Sequence, residues 1–138
     1  MLTCEIATQR REEMIDITAT IAAVIASASW LQGAVMLFCP HTTCGLTINE
    51  GADPAVRQDI MRFFRQLAPR NGSWAHAEGN TDAHIRASLL GASLLLPLDQ
   101  GQIALGRWQS VYLYEGDGPR RRQLWLTLLQ AGALSNRS

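Results

Sequence analysis

Residues 92–130 read ASLLLPLDQGQIALGRWQSVYLYEGDGPRRRQLWLTLLQ, and this stretch decides the fold class. Apolar runs of strand length at 92–98, 102–105, 108–114 and 123–130 are separated by Asp99-Gln100-Gly101, by Gly106 and by Gly116-Asp117-Gly118-Pro119. Turn residues at such intervals predict meandering, hairpin-linked strands. Upstream the pattern is mixed. Residues 2–9 and 14–17 read as short strands, and 18–28 as a helix with Thr18 as its N-cap. Residues 34–39 form an apolar strand stopped by Pro40. Residues 45–49 alternate, with Leu46 and Ile48 on one face and Thr47 and Asn49 on the other. A helix follows from Pro54, capped by Asp53, with Val56, Ile60, Phe63, Phe64 and Leu67 in one apolar stripe. A polar loop over 70–79 leads to a short helix over 82–90, started by Asn80 or Thr81 and stopped by Gly91. Helices between early strands and a strand-rich end predict an α+β class. The expectation is a single domain over residues 1–138, with a mixed or antiparallel sheet and two to three helices packed on it.

Composition narrows the function. Twelve basic residues, all arginine, balance twelve acidic ones. Without lysine, neither a Schiff-base lysine nor a phosphate-loop lysine exists. A net charge of zero argues against general nucleic-acid binding and against a membrane-surface role, and suits a closed oligomer. The most apolar stretch, residues 15–31, is broken by Asp16, Thr18 and Thr20, so it reads as a core helix instead of a membrane span. Three cysteines, Cys4, Cys39 and Cys44, have no framework spacing, which predicts a reducing cytoplasm.

The histidine inventory is His41, His76 and His84, each in polar surroundings. Three imidazoles suit an open zinc site, with Glu78, Asp82 or Glu50 orienting a ring from behind; separate capping histidines are the bland alternative. Cys39-Pro40-His41 with Cys44 allows a second metal set or a His41-activated Cys44, although inert core thiols fit the apolar neighbours. Arg107 and Gln109 read as a pocket wall beside Trp108, or as a bulge with the tryptophan in the core. Arg120-Arg121-Arg122 reads as a phosphate clamp or as a solvated face.

Several blocks occur together: His41-Thr42-Thr43, Leu46-Thr47-Ile48-Asn49-Glu50, Ala52-Asp53-Pro54, His76-Ala77-Glu78-Gly79-Asn80, Asp82-Ala83-His84, Ala87-Ser88-Leu89-Leu90-Gly91 and Leu105-Gly106-x-Trp108-Gln109. In this order they resemble the YjbQ family. The resemblance implies a homotrimer with histidine-lined pockets near subunit contacts. It further implies a secondary thiamine-phosphate synthase activity, joining hydroxymethylpyrimidine diphosphate to a thiazole phosphate with release of diphosphate. On this basis His41, His76, His84, Glu50 and Asp82 are the expected catalytic residues. Asn49, Asn80, Arg86, Arg107, Trp108 and Gln109 are the expected contacts of a phosphorylated small molecule. The three histidines suit zinc, while Asp53, Asp82 or Glu50 suits magnesium; no organic cofactor is expected. Cys44, Gly51 and Arg107 depart from the family pattern, and Arg107 places the choice of anion in doubt.

Overall fold

The computed structural model describes residues 1–131, so 132–138 of the expected domain lie outside the described residues. The elements run β1 (Leu2–Ala7), β2 (Glu13–Asp16), α1 (Thr18–Ser27), β3 (Gly33–Phe38), β4 (Cys44–Glu50), α2 (Pro54–Leu67), α3 (Thr81–Leu90), β5 (Ser93–Asp99), β6 (Gln102–Ile103), β7 (Gln109–Glu115) and β8 (Arg121–Leu129). The class is α+β as expected, but the single sheet is two. Five strands are ordered β1-β8-β3-β5-β6 and three are ordered β2-β7-β4, with every pairing antiparallel.

The reason lies in β7. Val111 and Leu113 point into a core shared with Val35, Leu37, Leu96, Leu124 and Leu126 of the large sheet and with Ile17, Ile21 and Ile25 of the α1 region. Tyr112 and Tyr114 point the other way, onto Met61 and Phe64 of α2. A strand apolar on both faces needs cover on both, so the small sheet lies between the large sheet and α2.

Only one of the expected hairpins in the strand-rich end is present. β5 and β6 pair through a turn with positive φ at Gln100 and Gly101. β7 and β8 do not pair; the Gly116 to Pro119 turn carries the chain from one sheet to the other. Contact forces glycine there: a Cβ on Gly118 would lie 2.2 Å from the Arg10 carbonyl oxygen.

Local signals were followed unevenly. Asp53 accepts a hydrogen bond from the Ala55 N–H at 2.9 Å, and Pro54 opens α2. The expected stripe of α2 splits, however, because Met61 and Phe64 are buried while Phe63 and Leu67 are exposed. The Arg57 guanidinium lies over the Tyr112 ring at 4.9 Å. Thr18 is the first residue of α1, not its cap; Ile17 holds the cap position. Asp16 accepts from the Thr18 N–H, and Thr18 Oγ1 accepts from the Val111 N–H, tying α1 to β7.

Candidate functional site

The site is built where β4 begins, β7 ends and β8 begins. Under it lies a buried ion pair. Arg122 donates from Nε and Nη2 to the two oxygens of Glu115 at 2.7 and 2.5 Å, and from Nη2 to Thr43 Oγ1 at 2.8 Å. Glu115 also accepts from the Thr8 hydroxyl and the Asp117 N–H. A buried carboxylate is tolerated when its lone pairs are filled in this way. The arrangement fixes the loop carrying His41, Thr42 and Thr43 against β8.

It also divides the expected arginine clamp. Arg122 serves the buried pair, Arg121 lies 3.5 Å from Glu5, and Arg120 pairs with Asp117 at 3.0 Å. Only Arg120, which is half-exposed, reaches the site with donors open to solvent.

His41 accepts a hydrogen bond at Nε2 from the Gln123 N–H at 2.9 Å. Burial first, and the nearby Arg122 charge second, hold its pKa below the usual histidine value. A neutral ring accepting at Nε2 carries its proton on Nδ1. The His76 and His84 rings meet edge-to-face with centroids 5.5 Å apart, and His76 Nε2 lies 3.7 Å from Glu78. His41 and His84 line a common basin of about 350 Å³, together with Glu78, Asn80, Arg120 and Arg122. A second hollow of about 560 Å³ opens on the other side of the same two histidines, toward Cys44 and Ser88.

Within one chain, the expected three-histidine set is not assembled. Among the described residues, no three His, Cys, Asp or Glu side chains converge as a ligand group. His76 and His84 form a pair, while His41 already uses Nε2. Asp82, expected as a catalytic or magnesium-binding carboxylate, is fully buried and held by both terminal nitrogens of Arg11 at 2.9 Å and by Arg86 at 3.3 Å. Burial raises its pKa, but those arginines outweigh it and leave the carboxyl below the usual range. Arg86, expected to touch substrate, is buried as well. It donates to Glu12, to the Tyr114 hydroxyl and to the Ala68 carbonyl. Asn80 occupies the cap position of α3, but its side chain donates to Asp117 and so faces the basin's rim. Cys39 and Cys44 are buried core thiols. Cys44 is pushed far above an ordinary thiol, first by its hydrogen bond with Cys39 and then by burial, which is the reverse of an activated nucleophile.

The remaining expected residues sit at the opposite end of β4 and β7. Six residue steps separate Cys44 from Glu50, which places them about 20 Å apart along the strand. There Glu50 is paired in register with Gln109, and Asn49 lines an apolar groove beside α2. Gln109 Oε1 accepts from the Gly106 N–H, and the Arg107 guanidinium stacks over Trp108 at 4.7 Å. Trp108 is more than half exposed, so the core reading of this tryptophan is overturned. Within one chain, these five residues and the histidines do not meet. The sequence reading missed Thr43, Glu115 and the buried role of Arg122. A lone carboxylate closing the apolar run Val111-Tyr112-Leu113-Tyr114 was the available signal, since a buried charge requires a partner.

Relatives agree with this architecture. A family model described as UPF0047 protein YjbQ-like matches residues 2–131. A UPF0047 protein of Methanocaldococcus jannaschii is 43% identical over 125 residues, covering 91% of each chain. The UPF0047 protein YugU of Bacillus subtilis is 42% identical over 92% of this chain and 97% of its own. Two solved structures superpose closely. An uncharacterised YjbQ/UPF0047 protein of Clostridium acetobutylicum gives a TM-score of 0.89 at 38% identity, covering 94% of this chain and all of the other. A conserved hypothetical protein of Thermus thermophilus gives 0.88 at 45% identity with the same coverage. Ordered motifs, near-complete alignment and a shared fold together make this chain a member of the YjbQ (UPF0047) family.

Proposed function

We propose that the protein is an enzyme of diphosphate chemistry, with thiamine-phosphate synthesis as the specific reaction, working at the basin of His41 and His84. One observation carries this reading: two imidazoles and the Arg120 guanidinium line a single open basin of about 350 Å³. Departure of diphosphate leaves negative charge on oxygen, and positioned cationic and N–H donors stabilise that charge. Arg120 supplies a guanidinium, with Arg122 behind it. Neutral His41 offers a donor at Nδ1, and His84 is the candidate for proton transfer.

The active form is proposed to be a cytoplasmic homotrimer. Register places Ala34, Met36 and Phe38 on one face of the large sheet with Trp125, Leu129 and Leu95. Met36, Leu95 and Leu129 are exposed, and Phe38 stacks on Trp125 with centroids 5.6 Å apart. A second copy over this apolar face would bring a neighbour beside Gln123 and therefore beside His41.

The test is thiamine-phosphate formation from hydroxymethylpyrimidine diphosphate and thiazole phosphate, followed by mass spectrometry. The expected result is turnover by the wild type and a KM at least tenfold higher in Arg120→Ala. Absence of turnover across the physiological pH range would sink the synthase reading. The second reading is a metal- or anion-binding homotrimer without turnover, or one with zinc-dependent hydrolysis. It is favoured by the edge-to-face His76–His84 pair. Stoichiometric zinc in the purified protein, lost in His84→Ala, would support it.

A further inference from the structure

A second cluster of cationic side chains lies away from the histidines, on the opposite side of the α3 N-terminus. A cleft of about 450 Å³ is lined by Arg11, Glu12, Arg65, Arg70, Asn71 and Arg86, with Pro69 at its edge. Arg11 comes from the β1–β2 connection, Arg65 from the last turn of α2, Arg70 and Asn71 from the loop after it, and Arg86 from α3.

The lining has an excess of positive charge. Its four guanidinium groups face one lining carboxylate, Glu12, with Asp82 lying behind Arg11 and Arg86. Counting both carboxylates leaves two positive charges uncompensated. Glu12 is shared: it bonds Arg65, bonds Arg86 at 2.6 Å, and lies 3.9 Å from Arg11. Arg86 is nearly fully buried, and its Nε has no hydrogen-bond partner. Like charges gathered on a partly desolvated wall repel one another, and a bound anion relieves that repulsion.

Scaffolding accounts for part of this cluster. Arg11 and Arg86 hold Asp82, and Arg65 holds Glu12, which ties α2, α3 and the β1–β2 connection together. It does not account for Arg70, which makes no ion pair among the described residues and still lines the cleft. Nor does it account for the Asn71 amide beside it. Guanidinium groups offer paired N–H donors that match phosphate oxygens, and an adjacent amide adds a neutral donor.

We propose that the Arg11–Arg65–Arg70–Arg86 cleft is a binding site for a small phosphorylated anion, distinct from the histidine basin. Arg70 and Arg65 clamp the terminal phosphate at the mouth, Asn71 donates alongside, and Arg11 and Arg86 supply the charge of the inner wall. The shared ligand chemistry is a terminal phosphate dianion, from either free diphosphate or a phosphate monoester. The site does not depend on the reaction proposed above.

The experiment is isothermal titration at low ionic strength with inorganic diphosphate and, separately, with glycerol 3-phosphate. It is run in the Arg120→Ala background, which removes the solvent-open guanidinium of the histidine basin. Saturable binding of at least one ligand is expected, and the tighter of the two identifies the source. Adding Arg70→Glu should weaken that binding at least tenfold, whereas adding Arg62→Glu should leave it within twofold, since Arg62 is exposed, outside the cleft and paired with Asp59. Circular dichroism of each variant establishes that the exposed substitutions leave the fold intact. No saturable binding of either ligand would overturn the assignment, as would binding that survives Arg70→Glu. A raised KM for thiamine-phosphate formation in Arg120→Ala with this binding retained separates the two sites.

Discussion

The two ends of the β4–β7 ladder carry comparable numbers of polar side chains and use them in opposite ways. At the Cys44 end, Glu115 and Arg122 are buried, hydrogen-bonded to each other and locked to Thr8 and Thr43. At the Glu50 end, Arg107 and Trp108 stack on each other in solvent, and the Gln109 side chain accepts from the neighbouring Gly106 N–H. The difference shows where the fold commits stability to geometry. A basin resting on a desolvated ion pair holds its side chains in one arrangement, whereas an exposed strand end does not.

The comparison predicts unequal costs. Arg122→Met strands the Glu115 carboxylate in the core, so a loss of about 3–5 kcal/mol is expected in urea denaturation. A loss below about 1 kcal/mol would mean that the pair is not buried in solution. Next in size is the pH response. Burial and Arg122 depress His41 in the folded state, so on acidification the unfolded chain binds that proton first. Stability therefore falls as pH drops through about 6.5, the unfolded histidine value. Denaturant melts from pH 8 to 5.5 should show a shallower fall in His41→Gln; equal slopes would remove His41 as the cause. Asp82, depressed overall by Arg11 and Arg86, adds a separate loss only lower, as pH falls below about 4 toward its folded value. At the other end, Gln109→Ala is expected to change stability by less than about 0.5 kcal/mol. A larger change would show that this end is buried in the assembly.

Much of the scaffold was legible in the sequence, because local chemistry decides it. Asp53-Pro54 caps α2 through bonds within two residues, and Asp99-Gln100-Gly101 turns a two-strand hairpin. What local pattern could not carry was partnership. Arg122 finds Thr43 across 79 positions, and Arg11 finds Asp82 across 71. A run of three arginines looks alike whether it is solvated or paired with a distant carboxylate. The two-sided burial of β7 was likewise hidden. Its apolar run specifies that both faces are covered, but not that one cover is a sheet and the other a helix. His41 and His84 were recognisable as residues that lie together. Their separation from Glu50, Asn49, Arg107, Trp108 and Gln109 follows from strand length, which matters only once both ends of the ladder are in place.

The most direct test of the account is kcat/KM for thiamine-phosphate formation in His84→Ala and Gln109→Ala, measured beside wild type at equal protein concentration. The account predicts a loss of at least about 100-fold in His84→Ala, the scale of a removed proton-transfer group, and a change within about threefold in Gln109→Ala. Retained turnover in His84→Ala, or an equal collapse in Gln109→Ala, would contradict the claim that the chemistry resides at the Cys44 end alone.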